Sequence, residues 1–366
     1  MTEWKTYKLG DIAKFQTGKL NSNAAVENGK YPFFTCSPNT LAIDNYAFDK
    51  EAILLAGNNA EGNFSIKYYK GKFNAYQRTY IIETYNDICD IKFLFYALKL
   101  CLQQFKLMSQ GTSTKFLTAV ILNNFEISLP GLEVQRRIAG ILGAIDDKIE
   151  NNRCINTNLE LQAQALFDKI FFDDNDAERN PLSDYADINP TRTLRQGVVA
   201  RYIEMANLPT RGSFPSDWSY KSYGGGCKFA NGDTIMARIT PCLENGKTAY
   251  IDFLEEQEVA FGSTEYIVIS AKSGYCPALF YFLARNKEFV DNAVGHMNGS
   301  SGRQRVSGAD IANFPMPHIT LEESNKFAEI AMPIMDVIRN NSLENRHLAT
   351  LRDTLLPKLM NGEIKL

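Results

Sequence analysis

Two stretches of the chain carry the same hydrophobic period. From Gln135, "QRRIAGILGAIDDKIENNRCINTNLELQAQALFDKIFF", with Val134 before it, sets apolar residues at 134, 138, 141, 145, 159, 166 and 170, with Asn152 in line. From Asn325, "NKFAEIAMPIMDVIRNNSLENRHLATLRDTLLPKLM" repeats the pattern at 327, 330, 334, 338, 348, 351, 355 and 359. Steps mostly of three and four leave one apolar stripe, the period of a helix that pairs with another. A helix of about 38 residues is roughly 57 Å long, and its stripe must be buried against something. The pattern predicts that each helix covers the other as an antiparallel pair, using Ile138, Ile141, Ile145, Leu159 and Leu166 on one side and Phe327, Ile330, Ile334, Leu348 and Leu355 on the other. Asn152 and Asn341 lie on or beside the stripes and either set the register or serve as capping or surface groups. Pro333 is tolerated in the first turns of a helix and kinks it further in, and Asn361-Gly362 supplies a stop signal.

The chain is also written twice. At an offset of 189 residues Ile138, Ile141, Ile145, Ile149, Leu159, Leu166 and Ile170 fall on Phe327, Ile330, Ile334, Ile338, Leu348, Leu355 and Leu359, and Asn151-Asn152 falls on Asn340-Asn341. Upstream, "FEISLPGLE" sits over "FPMPHITLE", and "GTSTKFL", "YIIE" and "LGDIA" have counterparts in "GSSGRQRV", "YIVI" and "LSDYA", all in the same order. A duplicated unit of roughly 180 residues accounts for this common order. Outside the long helices, "EAILLAG", "QRTYIIE", "DTIMARI" and "TEYIVIS" have the composition of strands bounded by turn residues. "DIKFLFYALKLCLQQFKLM" and "PALFYFLARNKEFVDNAV" each read as one helix packed on those strands. The expected fold is α/β (α+β): two similar globular domains, residues 1–132 and 188–320, separated by a pair of long antiparallel helices, residues 133–172 and 321–366. Residues 173–187, where only Arg179 is positive among several acids, form an acidic connector or an ordinary polar loop.

Composition narrows the function classes. The 366 residues are 45% hydrophobic and 22% charged with a net charge of −3, which neither argues for nor excludes nucleic acid. No run of 18 apolar residues predicts a membrane span, and the opening "MTEWKTYKLGDIAKF" lacks a signal-peptide core. Seven cysteines without a CxxC pair read as free thiols in a reducing cytoplasm. There is no GxxxxGK[ST] phosphate loop, no clear GxGxxG and no NPPY-like methyltransferase motif. His296, His318 and His347 form no zinc-spaced cluster with cysteine. No catalytic residue and no metal site are expected. Gly224–Gly226 reads as a flexible turn in preference to a phosphate cradle.

The text "LPGLEVQRRIAGILGAIDDKIENNRCINTNLELQAQALFDKIF" resembles the central conserved region of type I restriction-modification specificity (S) subunits. "LRDTLLPKLMNGEI" resembles their distal conserved region, and "KLGDIAKFQTGK" the opening of their first recognition domain. One departure is "HITLEESNKFAEIAMPIMDVI", which replaces the usual Pro-Pro-Leu-Glu-Glu-Gln opening of the second helix. The resemblance implies a cytoplasmic, non-catalytic subunit with no cofactor of its own. Each of its two target recognition domains would read one half of a split DNA sequence, and its helices would set the gap. It implies two methyltransferase (M) subunits and two restriction (R) subunits as partners, these using S-adenosylmethionine, ATP and Mg. Two rivals from other classes are a coiled-coil scaffold that does not touch DNA and a DNA-modifying enzyme acting alone.

Base reading calls for Asn, Gln, Arg, Lys, Ser or Thr on loops held at the groove. Three such clusters occur in each half: residues 57–63, 75–80 and 110–116 in the first, and 238–250, 261–266 and 298–305 in the second. The candidates for contact are Asn58, Asn59, Gln77, Arg78, Thr112, Ser113 and Lys115, and then Arg238, Asn245, Lys247, Ser301, Arg303, Gln304 and Arg305. In an extended strand Arg303 and Arg305 share one side and either clamp phosphate or read guanine; a salt bridge to Asp310 is the alternative. Any one of these loops, taken alone, also fits a plain exposed turn.

Overall fold

The computed structural model describes residues 4–85, 87–173, 176, 178–300 and 302–366. It divides into two compact units, Met1–Asp147 with Leu348–Leu366, and Lys148–His347. The division runs across two helices of 40 residues each, Leu132–Phe171 and Leu321–Met360, so each unit holds one globular lobe and a length of both helices.

In the first unit, alternation along the strands buries both faces of one sheet. Its order is Ala13–Thr17, Thr79–Thr84, Phe48–Ala56, Ile66–Ala75, Tyr31–Phe34, Leu41–Ile43. Neighbours are antiparallel except Tyr31–Phe34 with Ile66–Ala75. Ile53, Leu55 and Ile82 face the main core, while Ala52, Leu54 and Ile81 face a second one with Phe34 and Phe73, the two-residue period of a strand. Phe93, Leu94, Leu98 and Phe105 cover the main core, which also takes in Ile138, Leu142, Leu356 and Leu359 from the long helices. Gln135, 1% exposed, locks the first turn of the central helix to the lobe. It accepts from the Asp90 amide (2.9 Å) and donates to the carbonyls of Ile88 (3.1 Å) and Pro130 (2.8 Å). Asp146 accepts from Tyr96 and Arg352, each at 2.7 Å, joining both helices to the lobe.

The second unit has two four-stranded sheets. One is antiparallel throughout: Ala186–Ile188, Tyr266–Ala271, Asp233–Ala237, Thr248–Tyr250. The other runs Ser219–Ser222, Val199–Ile203, Ala260–Gly262, Lys228–Phe229. Alternation again divides the strands between two cores, with Met236, Ile267 and Ile269 in one and Ile235, Tyr266 and Val268 in the other. Phe327 gathers Phe167, Phe171 and Phe282 at centroid distances of 5.8, 5.6 and 5.7 Å, clamping the helix ends to this lobe.

The helices pair in antiparallel fashion through polar groups as well as apolar ones. Asn152, 1% exposed, donates to Asn345 Oδ1 (3.0 Å) and Glu344 Oε2 (2.7 Å). Asn341 donates to Asn156 Oδ1 (2.8 Å). The offset of 189 maps Asn152 onto Asn341 and Asn156 onto Asn345, so one contact is the internal copy of the other. Asn152 and Asn341 therefore act in the pairing seam and not as caps.

Several expectations need correction. Ile141 (38% exposed) and Ile330 (49%) face solvent; Leu142 and Ala331, each 0% exposed, take the buried positions. Positions 138, 142, 145, 149, 152, 156, 159 and 163 advance by alternating fours and threes, the 3.5-residue period of paired helices, and a first step of three to 141 leaves that line. Ile138 and Phe327 are buried, and Ile145, Leu159, Leu166, Ile334, Leu348 and Leu355 are half-buried. Pro333 sits exposed in an unbroken helix. The two sequences read as single helices are each split. Ile91–Leu100 and Leu102–Met108 part at Cys101, whose amide bonds back to Leu98. Pro277–Arg285 and Lys287–Gly295 part at Asn286, which is extended and caps the amides of Glu288 and Phe289. The supposed connector turns structural by Arg179: Arg179–Pro181 pairs with Pro315–Pro317, and Leu182 and Tyr185 are buried in the core.

The seam predicts an asymmetry between single and double substitutions. Asn152→Leu removes the donor to Asn345 and should cost about 1–3 kcal/mol, whereas Asn152→Leu with Asn345→Leu should recover most of it. Denaturant unfolding of the purified chain measures this, and a neutral single substitution would contradict the seam.

Candidate nucleic-acid interface

In the first unit three separate stretches meet where the strand Phe48–Ala56 ends. Gly57 donates its amide to the Arg78 carbonyl (2.8 Å), and Leu117 donates to the Gly57 carbonyl (2.9 Å). Beyond Gly57, Asn58 pairs with Phe116 and Asn59 with Lys115, and Phe116 exchanges two amide bonds with Gln110 (2.8 and 3.0 Å). A Cβ at Gly57 would lie 2.5 Å from the Arg78 carbonyl, so this close approach requires glycine. The Tyr80 hydroxyl donates to the Leu117 carbonyl (3.0 Å), and burial raises its pKa. Above lies an open cleft of about 340 Å³ whose walls include Thr17, Gln77, Arg78 and Phe116.

The candidate side chains there differ in freedom. Asn58 Oδ1 accepts from the Cys36 thiol (2.8 Å), and Asn59 Oδ1 accepts from the amides of Glu61 (2.9 Å) and Asn63 (3.0 Å), an Asx turn. Both carbonyls thus shape the loop. Gln77 is exposed and bonds Asn21 Oδ1 (2.8 Å). The exposed Arg78 guanidinium lies 5.3 Å from the Phe116 ring centroid. Thr112 and Ser113 are exposed and Lys115 is half-buried.

The second unit repeats this backbone frame. Arg238 follows the strand Asp233–Ala237 and donates its amide to the Glu265 carbonyl (3.0 Å), while Val306 donates to the Arg238 carbonyl (3.0 Å). Ile239 bridges to Arg305, and Arg305 exchanges two amide bonds with Asn298 (2.9 and 3.0 Å). Gly57 thus corresponds to Arg238, Arg78 to Glu265, Phe116 to Arg305 and Leu117 to Val306, and the last two pairs keep the 189-residue offset of the helices. The side chains have changed while the frame has not.

In this copy the frame holds an ion pair. Arg305 donates Nε (2.8 Å) and one terminal nitrogen (2.7 Å) to Glu265, and the other terminal nitrogen to the Arg303 carbonyl (3.0 Å). The hydrogen bonds from Arg305 hold the Glu265 carboxyl below its ordinary range, and Glu265 in turn raises the Arg305 pKa. Asp310, the partner considered from sequence, is engaged elsewhere. It bonds the Ser307 hydroxyl (2.6 Å) and amide (3.0 Å) in a capping box.

Arg303 is exposed, Gln304 is half-buried with its carbonyl accepting from Thr240 (3.0 Å), and Arg238 is half-buried. Asn245 is exposed in a turn, and Lys247 is tied to the Met205 carbonyl (2.7 Å). Ser301 lies outside the described residues. Reading the sequence missed Arg285, which pins the turn at Asn245 by donating to the carbonyls of Gly246 (2.6 Å) and Thr210 (2.9 Å). It also missed Cys36 and Asn21; no spacing pattern connects any of the three to these loops. At the glycine triplet a Cβ on Gly226 would meet the Gly262 carbonyl at 2.0 Å, which gives that glycine a packing role. Among the described residues no group of three His, Cys, Asp or Glu side chains could hold a metal ion, and no helix is long and apolar enough to cross a membrane.

Comparison with known proteins follows the same lines. Residues 1–161 match the family model of the type I restriction modification DNA specificity domain. The chain is 39% identical over 405 residues to the type I restriction enzyme EcoDI specificity subunit of Escherichia coli, covering 99% of this chain and 89% of that protein. It is 23% identical over 464 residues to the type I restriction enzyme HindI specificity subunit of Haemophilus influenzae, covering 100% of both. A crystal structure of the type I restriction-modification system S subunit from M. genitalium shares the fold, with TM-score 0.65 and 16% identity over 98% of this chain and 96% of that one.

The Glu265–Arg305 pair has a titration signature. A carboxyl held low contributes its stability above the unfolded-state pKa and loses it as pH falls through the folded value. Site-resolved NMR of labelled glutamate should find the Glu265 midpoint below the ordinary carboxylate range, and Arg305→Ala should return it upward. An unmoved midpoint would contradict the pairing.

Proposed function

We propose that this chain, which belongs to the family of type I restriction enzyme specificity subunits, reads a bipartite, asymmetric DNA target, one half-site with each lobe. As a member of that family it is a DNA-binding, non-catalytic subunit of a restriction-modification system. The observation that carries the split-target reading is the repeated frame. The same three backbone stretches converge in each unit with different side chains, as two readers of different sequences would require. The candidates at each frame are the residues named from sequence, among which Arg78, Thr112 and Ser113 are exposed in one lobe and Asn245 and Arg303 in the other. Phosphate contacts would position the duplex and base-edge contacts select it.

In this reading the paired helices set the length of the unspecified spacer between the half-sites, and their exposed faces receive two methyltransferase subunits. Two restriction subunits complete the endonuclease. S-adenosylmethionine serves the methyltransferase subunits, and ATP and Mg serve the restriction subunits; this chain holds none of them. Turning the target adenine out of the helix is work for the methyltransferase pocket. The exposed Ile141, Ile155 and Leu161 on one helix, and Ile330, Val337 and Leu351 on the other, support such docking.

Mapping methylated adenines in a host that expresses the chain with its methyltransferase tests this. A split motif with one fixed gap is expected, and it should vanish when the chain is removed. Inserting one heptad into each helix adds about 10.5 Å of length, so the gap should grow by about three base pairs at roughly 3.4 Å each. An unchanged gap in an active complex would overturn the spacing role, and methylation without any sequence preference would favour a scaffold.

A further inference from the structure

At the frame, each lobe places a guanidinium across the same two backbone positions, although the arginine stands at opposite members of that pair. In the first lobe it belongs to Arg78 and lies over Phe116. In the second it belongs to Arg305, at the position equivalent to Phe116, and lies against Glu265, at the position equivalent to Arg78. A conserved backbone geometry alone would not return the same charged group from the other side. We propose that Arg78 and Arg305 are the guanine-reading residues of the two lobes, an assignment that rests on the split-target reading above.

The chemistry of each setting fits that task. Guanine offers two acceptors on its major-groove edge, N7 and O6, and the planar fork of arginine matches them with two parallel N–H groups. A flexible side chain must be ordered first, and each lobe has ordered its arginine differently. Attraction to the Phe116 ring face, 5.3 Å away, holds the Arg78 guanidinium over it and leaves its donors uncommitted; Arg78 has no ion-pair partner among the described residues. Glu265 restrains Arg305 by taking the Nε hydrogen and one terminal hydrogen, and the Arg303 carbonyl takes one more. Of the five N–H donors, one stays on each terminal nitrogen, the number that a two-pronged contact to guanine uses. Glu265 and Phe116 are then positioning residues acting through the arginines.

The test maps the methylation motif of complexes assembled with wild-type chain, Arg78→Ala or Arg305→Ala. Each wild-type half-site should contain at least one G·C pair. Arg78→Ala should relax selection at one G·C position in one half-site by roughly 10- to 100-fold, leaving the other half-site and the gap intact; Arg305→Ala should do the same in the other half-site. Where an alanine variant gives too little methylation to map, the lysine variant, which keeps the charge without the fork, replaces it and should show the same local relaxation. Glu265→Gln should weaken discrimination at the Arg305 position and at no other. A half-site of A·T pairs alone, or variants that lower methylation evenly at every position, would overturn the assignment and leave the arginines as phosphate contacts. A wild-type motif that is not split would instead defeat the underlying reading, so the two failures are distinct.

Discussion

The register of the helix pair is the constraint on which the rest depends. Its apolar positions repeat every 3.5 residues and would tolerate a slip of one heptad, because another apolar residue would arrive at most contacts. The asparagines do not tolerate it. Sliding one helix by seven residues would set the buried Asn152 against Ile338 or Arg352 in place of Asn345. An unsatisfied buried amide costs about 1–3 kcal/mol. The two symmetry-related pairs, Asn152–Asn345 and Asn341–Asn156, therefore specify one alignment at some cost in stability, the best-attested use of polar residues in such seams. Lys148 and Glu344 (3.2 Å) add an exposed ion pair beside them.

Each lobe is fastened by a buried polar residue in the first turn of a long helix, and the second lobe adds an aromatic clamp. Gln135, buried at the base of the central helix, satisfies three backbone groups of the first lobe. In the second lobe the aromatic cluster around Phe327 does the same work by packing. Ser324, which the 189-residue offset places on Gln135, accepts from the Cys276 amide (2.8 Å) as Gln135 does from Asp90, so one bond is kept while the residue has changed, and the frame at the strand ends shows the same division. Backbone hydrogen bonds hold the three stretches together, so side chains at Arg78 and Glu265, and at Phe116 and Arg305, could diverge without loss of the frame, while the tight approach at Gly57 admits only glycine in the first lobe. A binding site gains from that separation between a rigid support and the side chains it presents.

Much of this was legible in the residues. Local periodicity reports which face of a helix is apolar, and self-similarity at one offset reports duplication, so the long helices and the two related lobes followed from sequence. The clustering of loops 57–63, 75–80 and 110–116 was visible as composition. The errors came where local pattern underdetermines the answer. Ile141 and Leu142 are both apolar, and only the partner helix selects which is buried. Cys101 lies inside an apolar run that gives no sign of a break, whereas Asn286, between Arg285 and Lys287, breaks its helix by capping the amides of the next one. Arg305 lies five residues from Asp310 and 40 from Glu265, and folding brought it to the distant acid.

The sequence by itself determined the duplication, the two helices, their mutual burial and the absence of nucleotide and methyltransferase motifs, because each of these is written in spacing along the chain, whether of three and four residues or of 189. Tertiary structure alone decided which Asn meets which, that the two lobes share one backbone frame, and which arginine each frame presents. Those depend on residues up to 193 positions apart being brought within hydrogen-bond distance, and the direction of a side chain at such a meeting is set by packing that no local period encodes.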